Sequence, residues 1–299
     1  MNSPHAPHAA IALLAHRIPF VSPNPIPSPP SQESLNPTLP FVTVTYAQSL
    51  DGFIALPDRR PLTISCSESF AMTHVMRTMH DAILVGVGTV LGDDPRLTSR
   101  EDILGVEGVA AVKRARGEPD GAGLHHPRPV VVDSTLTKFP YQTSRLMGHP
   151  RGKPIVLTTT RYSQERRTTL ESLGVEVVVC ADSRDGADGD TAQVDLSDGF
   201  CKLHAHFGIR TIMVEGGARI IGSLLRRRKS STDKSEQLVA PQLVVVTVAP
   251  TFVGNGVKVI ELTGESKVVG GSEGLVQLAD VEYRQFGRDM VVVAGVKMS

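Results

Sequence analysis

The chain has 299 residues, with 31 Lys+Arg against 31 Asp+Glu, 27 Gly, 21 Pro, 3 Cys and no Trp. That length suits one large domain or two small ones, either able to bury a substantial core. Balanced charge argues against a partner held by bulk electrostatics, such as nucleic acid. Three widely spaced cysteines, Cys66, Cys180 and Cys201, exclude a disulfide scaffold and suit a reducing compartment such as the cytoplasm. No apolar run approaches the roughly 20 residues of a membrane span.

In chain order, the first segment is proline-rich: ten prolines fall within residues 1–40. Pro lacks the amide hydrogen and fixes φ, so the run Pro23–Pro30 supports neither helix nor sheet. Residues 1–39 therefore read as a disordered leader, dispensable for fold and activity, and 40–299 as a single domain. Phe41–Gln48 alternates as a strand. Ser65-Cys66-Ser67-Glu68 reads as a capping box with Ser65 as N-cap. It opens a helix whose Met72, Val75, Met76 and Met79 form one apolar stripe. Arg77 lies opposite that stripe and by itself reads as a solvated cation. Asp81–Val87 is a buried strand, as are Val130–Val132, Ile155–Thr159, Val175–Val179, Ile209–Val214 and Leu243–Val248. Helical segments lie between them at Ser163–Leu173, Leu196–Phe207 and Gly217–Arg227. Val281–Phe286 and Met290–Val296 form a hairpin around Gly287-Arg288. Three segments read as loop insertions: Glu101–Pro127, Asp182–Thr191 and Arg226–Gln237. Alternation of strands and helices gives an α/β fold, with a mixed, mostly parallel sheet flanked by helices and an antiparallel C-terminal hairpin.

Three places could carry chemistry. The strand Ile212–Val214 runs through Glu215-Gly216-Gly217-Ala218-Arg219-Ile220 into a helix. Glycines at such a turn let a ligand approach the backbone, and the helix start offers free amides suited to phosphate; a tight turn needs the same glycines. Gly88–Arg100 follows the strand 81–87, at the strand end where open α/β sheets bind ligands. Within it Thr89 and Asp93 share a helical face, and its carboxylates and arginines suit a ribose and a phosphate, or equally a surface turn with ion pairs. Ala47-Gln48-Ser49-Leu50-Asp51-Gly52 ends a strand in a turn. The spacing of a dinucleotide-binding glycine fingerprint fails at Leu91. A zinc-deaminase signature, a nucleophile elbow and a P-loop are all missing, so no metal is expected.

Taken together, Tyr46–Gly52, Asp81–Arg100, Pro129–Ser134 and Val214–Ala218 resemble, in order, the pyrimidine reductases of riboflavin biosynthesis over about residues 41–296. The resemblance implies a dihydrofolate-reductase-like fold and a homodimer. It also implies NADPH as hydride donor, and 2,5-diamino-6-ribosylamino-4(3H)-pyrimidinone 5′-phosphate as substrate, reduced to the ribitylamino compound. With the deaminase motifs missing, the chain resembles the stand-alone form. Carried over residue by residue, cofactor contacts fall on Ala47, Thr89, Asp93, Ser134, Gly216, Gly217, Ala218, Arg219 and Ile220. Substrate contacts fall on Arg77, Leu97, Arg100 and Glu215, and Asp93 and Glu215 stand as catalytic acid/base or orienting groups. A family serine and aromatic residue correspond here to Pro61 and Thr63, a departure. Two other readings compete: a pterin reductase of dihydrofolate-reductase type, which needs no phosphate clamp, and a non-catalytic nucleotide-binding module, which needs neither both arginines nor Asp93.

Overall fold

The computed structural model describes residues 5–19, 39–58, 60, 62–119, 121–183, 192–225, 240–259 and 277–297. Its centre is a nine-stranded sheet. In chain order the strands are β1 (Phe41–Ser49), β3 (Ala82–Gly86), β4 (Arg128–Val132), β5 (Ile155–Thr158), β6 (Glu176–Val179), β7 (Thr211–Gly216), β8 (Leu243–Ala249), β10 (Leu278–Phe286) and β11 (Asp289–Val296). Across the sheet they run β10-β11-β8-β1-β7-β3-β4-β5-β6. The strands from β8 to β6 are parallel to one another; β11 pairs antiparallel to β8 and β10 antiparallel to β11. The mixed, mostly parallel sheet with an antiparallel hairpin at one edge is the architecture expected from the sequence. β2 (Phe53–Ala55) and β9 (Val257–Lys258) make a separate two-stranded ribbon.

Central strands read as continuous apolar runs because helices cover both faces. On one face α6 (Leu196–Phe207) and α7 (Ala218–Leu225) bury Phe200, Leu203, Ile221 and Leu225 against Val44, Leu84 and Val214. On the other, α2 (Ser67–Thr78) buries Met72, Val75 and Met76 against Met213 and Val245. Further along that sheet α5 (Gln164–Ser172) buries Leu170 in a cluster with Ile83, Val131 and Val156. α3 (Val87–Asp93) follows β3 directly.

Three expectations are corrected. The leader is not wholly outside the fold: α1 (His5–Leu14) docks on α2 and α4 (Glu101–Arg116), burying Ala10, Leu13 and Leu14, and Ile18 in the turn after it is buried too. Most prolines of the leader come later, so the proline argument does not reach this stretch. Residues 20–38 lie outside the described residues. Next, the first supposed insertion is largely helix. α4 has acids in its first turn, bases in its last and Gly117 as a left-handed cap, and it sends Leu104 and Val112 into the core. Its glycines suggested a loop, yet Gly108 serves contact: a Cβ there would lie 2.8 Å from Pro7 of α1. Finally, Ser65 is not the cap of α2. The N-cap is Cys66, with no side-chain cap bond. Instead the Asp289 carboxylate, reaching across from the hairpin, accepts from the Cys66 amide at 2.7 Å and from the Ser69 hydroxyl at 2.5 Å. The other two expected insertions fall mostly outside the described residues, as does Pro61.

Candidate active site

Parallel strands aim their carboxyl ends at one edge of the sheet, and that edge gathers the predicted site. Ala47 lies near the end of β1, Glu215 and Gly216 end β7, Thr89 and Asp93 ride on α3 after β3, and Ser134 follows β4. These four strands are sheet neighbours in the order β1-β7-β3-β4. The pairing of β7 with β3 slips at this edge: Leu84 faces Val214, and Val85 faces Gly216. Glu215 is the extra residue of that irregularity, and such a bulge re-aims a side chain.

Glu215 is aimed at Arg77. Arg77 Nε donates to Oε1 at 2.7 Å and Nη2 to Oε2 at 2.6 Å, with the two side chains only 12% and 15% exposed. Arg77 Nη1 donates to the Thr98 carbonyl at 2.9 Å. The solvated reading of Arg77 is thus corrected: its partner stands 138 positions away along the chain. A guanidinium carries five N–H groups. These contacts use three, leaving one on each terminal nitrogen. Arg100 lies two residues beyond Thr98 and pairs with Asp102 in the first turn of α4, donating from Nε at 3.0 Å and also from Nη2. Both arginines assigned to the substrate therefore flank one short segment, and each is held by a carboxylate.

Gly216 and Gly217 form a bare strip of backbone against α3. A Cβ on Gly217 would lie 3.2 Å from Thr89 Oγ1, and one on Gly216 would lie 3.6 Å from it. The positive φ, +155°, belongs to Gly216, so the demand for glycine conformation falls there and not on Gly217. α7 starts at Ala218, and the Ile220 and Ile221 amides already donate to the Gly217 carbonyl. The Ala218 and Arg219 amides are those left open at a helix start. Arg219 is exposed beside them, and Ile220 packs 3.1 Å from where a Cβ of Gly86 would stand. Bare glycine backbone, open amides and an adjacent cation fit the phosphates of a dinucleotide.

Other expected contacts are less direct. Leu97 is fully buried and has φ +53°, and His149 Nε2 lies 3.4 Å from its carbonyl. The Ser134 hydroxyl accepts from the Val194 amide at 3.4 Å, and its carbonyl from Thr158 and Thr159. Asp93 makes no hydrogen bond or ion pair, and desolvation holds its carboxyl above the usual range even though the residue is exposed. Asp94, by contrast, pairs with Arg145. Asp51 clamps the Val253 and Gly254 amides and takes the Ser49 hydroxyl, which with those amides lowers its carboxyl to about 2. Sequence reasoning missed Thr98, Asp102 and His74 around the arginines; the Arg-x-Asp spacing of 100–102 was the one signal available. Two cavities lie away from this site. One, of about 170 Å³, is lined by Asp81, Arg128 and Arg151 at the amino edge of the sheet, and the other lies along Val177–Val179. Open parallel sheets bind ligands at the carboxyl edge, which favours the Glu215 region over either cavity.

Among the described residues no group of acids, histidines or cysteines could hold a metal ion, and no helix is long and apolar enough to cross a membrane. The sequence profile of the RibD C-terminal domain matches residues 40–292. A 2,5-diamino-6-ribosylamino-4(3H)-pyrimidinone 5′-phosphate reductase of Saccharomyces cerevisiae is 32% identical over 230 residues, covering 76% of this chain and 79% of the relative. The protein of the same name from Debaryomyces hansenii is 33% identical over 266 residues, covering 85% of this chain and 89% of the relative. The solved structure of the S. cerevisiae riboflavin biosynthesis reductase Rib7 superposes with a TM-score of 0.58 at 27% identity, covering 89% of this chain and 93% of that one. With the profile spanning most of the chain and these relatives matched over most of their own length, the chain belongs to the RibD C-terminal domain family of reductases.

Proposed function

We propose that the chain reduces the ribosyl side chain of 2,5-diamino-6-ribosylamino-4(3H)-pyrimidinone 5′-phosphate to the ribitylamino compound, with NADPH as hydride donor. The observation that carries this reading is the meeting of Arg77, Glu215 and the Thr98–Arg100 segment beside the Gly216-Gly217 turn, on one edge of the sheet. Family membership supports the same activity. A pterin reductase would need no phosphate clamp.

In this reading the Gly216–Ile220 turn and Thr89 hold the cofactor phosphates, while Ala47 and Ser134 border the cleft on either side. When bound, the cofactor supplies a hydride for C1′ of the ring-opened imine form of the substrate. Arg77 and Arg100 take the 5′-phosphate. Arg77 does so with its two remaining N–H groups while Glu215 fixes the plane of the guanidinium. Glu215 is an orienting group, because both its oxygens are committed to Arg77. Asp93, with an unpaired carboxyl raised by desolvation, delivers the proton to the exocyclic nitrogen that was part of the imine. The chain acts in the cytoplasm, a reading supported by three free cysteines. It works as a homodimer through the edge hairpin, where Tyr283 is 67% and Met290 43% exposed.

The test mixes pure protein with the substrate and either NADPH or NADH and follows cofactor absorbance. Oxidation dependent on the phosphorylated substrate, faster with NADPH, is expected. Oxidation with dihydrofolate instead, or none with either substrate, sinks the proposal. Sedimentation at micromolar concentration is expected to give a dimer; a monomer removes the hairpin interface.

A further inference from the structure

His74 stands one helical turn before Arg77 on α2, so the two side chains leave the same side of the helix. Its ring is fully buried, edge-on to Phe70 with centroids 4.8 Å apart. The Thr98 carbonyl, which accepts from Arg77 at 2.9 Å, also lies close to the ring, yet neither ring nitrogen of His74 reaches it, or any other partner, in hydrogen-bond geometry. Burial first, then the Arg77 and Arg100 charges, push the imidazole down to about 3. At neutral pH the ring thus carries one N–H donor and one acceptor nitrogen. A buried donor or acceptor with no partner destabilises a fold, and an apolar ring of the same size would avoid that cost. A side chain that costs stability yet lies among binding residues points to a ligand group that completes it.

We infer that His74 is a third donor of the anion site, its neutral ring N–H kept for the phosphate monoester that Arg77 and Arg100 receive. The inference rests on the phosphate-binding role proposed above for those arginines. Arg100 and Asp102 are near enough to the ring to act on it electrostatically, and their side chains are 35% and 63% exposed. Exposed pairs hold weakly. A dianion competing for Arg100 displaces Asp102 near the ring. The site then offers two cations and one neutral donor from two elements, α2 and the segment before α4.

The experiment uses the full chain and a ribose 5-phosphate fragment of the substrate as probe. Its affinity is measured by calorimetry for the wild type, His74→Phe, His74→Gln and Arg77→Ala, alongside NADPH titration and thermal melting. His74→Phe is expected to melt at or above the wild-type temperature, to bind ribose 5-phosphate at least tenfold more weakly, and to bind NADPH unchanged. His74→Gln keeps an N–H donor and is expected to recover part of the affinity; it also serves should the Phe variant fail to fold. Full affinity in both His74 variants, with loss in Arg77→Ala, makes His74 a packing residue and overturns the inference alone. Full affinity in Arg77→Ala as well overturns the phosphate site itself, and the inference with it.

Discussion

Two carboxylates already hold the two arginines that a phosphate would recruit, and the two pairs differ in burial. Arg77–Glu215 is bidentate and nearly buried, while Arg100–Asp102 is exposed. Removing one partner of a buried pair leaves the other charge uncompensated, at a cost of about 3–5 kcal/mol. An exposed pair contributes about 0–1 kcal/mol. Arg77→Ala is therefore expected to lower both thermal stability and substrate affinity. Arg100→Ala leaves stability near wild type and raises KM by roughly 10- to 150-fold, the equivalent of about 1.5–3 kcal/mol for a charge-assisted contact. Melting curves beside steady-state kinetics separate the two, and an unchanged KM in Arg100→Ala counts against the clamp. On the cofactor side, Gly217→Ala places a methyl 3.2 Å from Thr89 Oγ1, tighter than most packed contacts. It is expected to weaken NADPH binding with the fold intact; an unchanged dissociation constant would mean that the glycine strip serves only the turn.

Among the elements, α1 and α4 depend on each other. Gly108 on α4 gives way to Pro7 on α1, where a Cβ would come within 2.8 Å. In an ordinary exposed helix Gly→Ala stabilises by about 0.8–1 kcal/mol. Here the clash should reverse the sign: Gly108→Ala lowers the melting temperature of the full chain. In a chain lacking residues 1–19 the contact with Pro7 is gone and only the 3.3 Å approach to Leu104 Cβ remains, so the same substitution costs less there. A thermal-melting cycle of the four proteins checks this, and an equal loss in both backgrounds refutes the contact. Deletion of 1–19 by itself is expected to destabilise, because it uncovers the surface that Leu13, Leu14 and Ile18 bury. Leu14 is fully buried, and Leu14→Ala should cost about 2–5 kcal/mol, read as a loss of unfolding free energy in urea. The earlier expectation of a dispensable leader does not extend to these residues.

Over the whole molecule, buried imidazoles set the acid limb of stability. Burial lowers His80, His125 and His149 to about 4 each. In the unfolded chain each takes its proton near pH 6.5. Between about 6.5 and 4 the unfolded state thus binds more protons than the native one, and stability falls with pH by about 1.4 kcal/mol per unit per histidine. Above 6.5 the contribution is complete. Asp51, lowered to about 2, stabilises above the ordinary carboxylate range and is lost only below it, outside this window. The urea midpoint is expected to drop steeply from pH 6.5 to 4.5, and less steeply in His149→Gln, which removes one of the three contributions. A midpoint constant from pH 8 to 5 would contradict the burial of these rings.

The sequence by itself determined the alternation of strands and helices, the terminal hairpin and the glycine turn after β7. Apolar periodicity, unbroken apolar runs and turn residues are local signals, and here they agreed with the fold. What the local pattern does not carry is partnership. Arg77 reads the same in solvent as in an ion pair 138 positions away, and only the adjacency of α2 and β7 across the sheet decides between them. Capping followed the same logic: Ser65 satisfies the local rule, yet Cys66 is the N-cap, its amide held by Asp289 because the hairpin turn brings a buried carboxylate to the helix start. Gly108 of α4 means loop on propensity alone and helix once α1 lies across it, since a missing Cβ stabilises only the contact that uses the space, whereas Gly105, at φ +68°, does kink the helix. Strand order and the docking of α1 were decided by tertiary structure for one reason: both depend on which distant apolar faces bury each other.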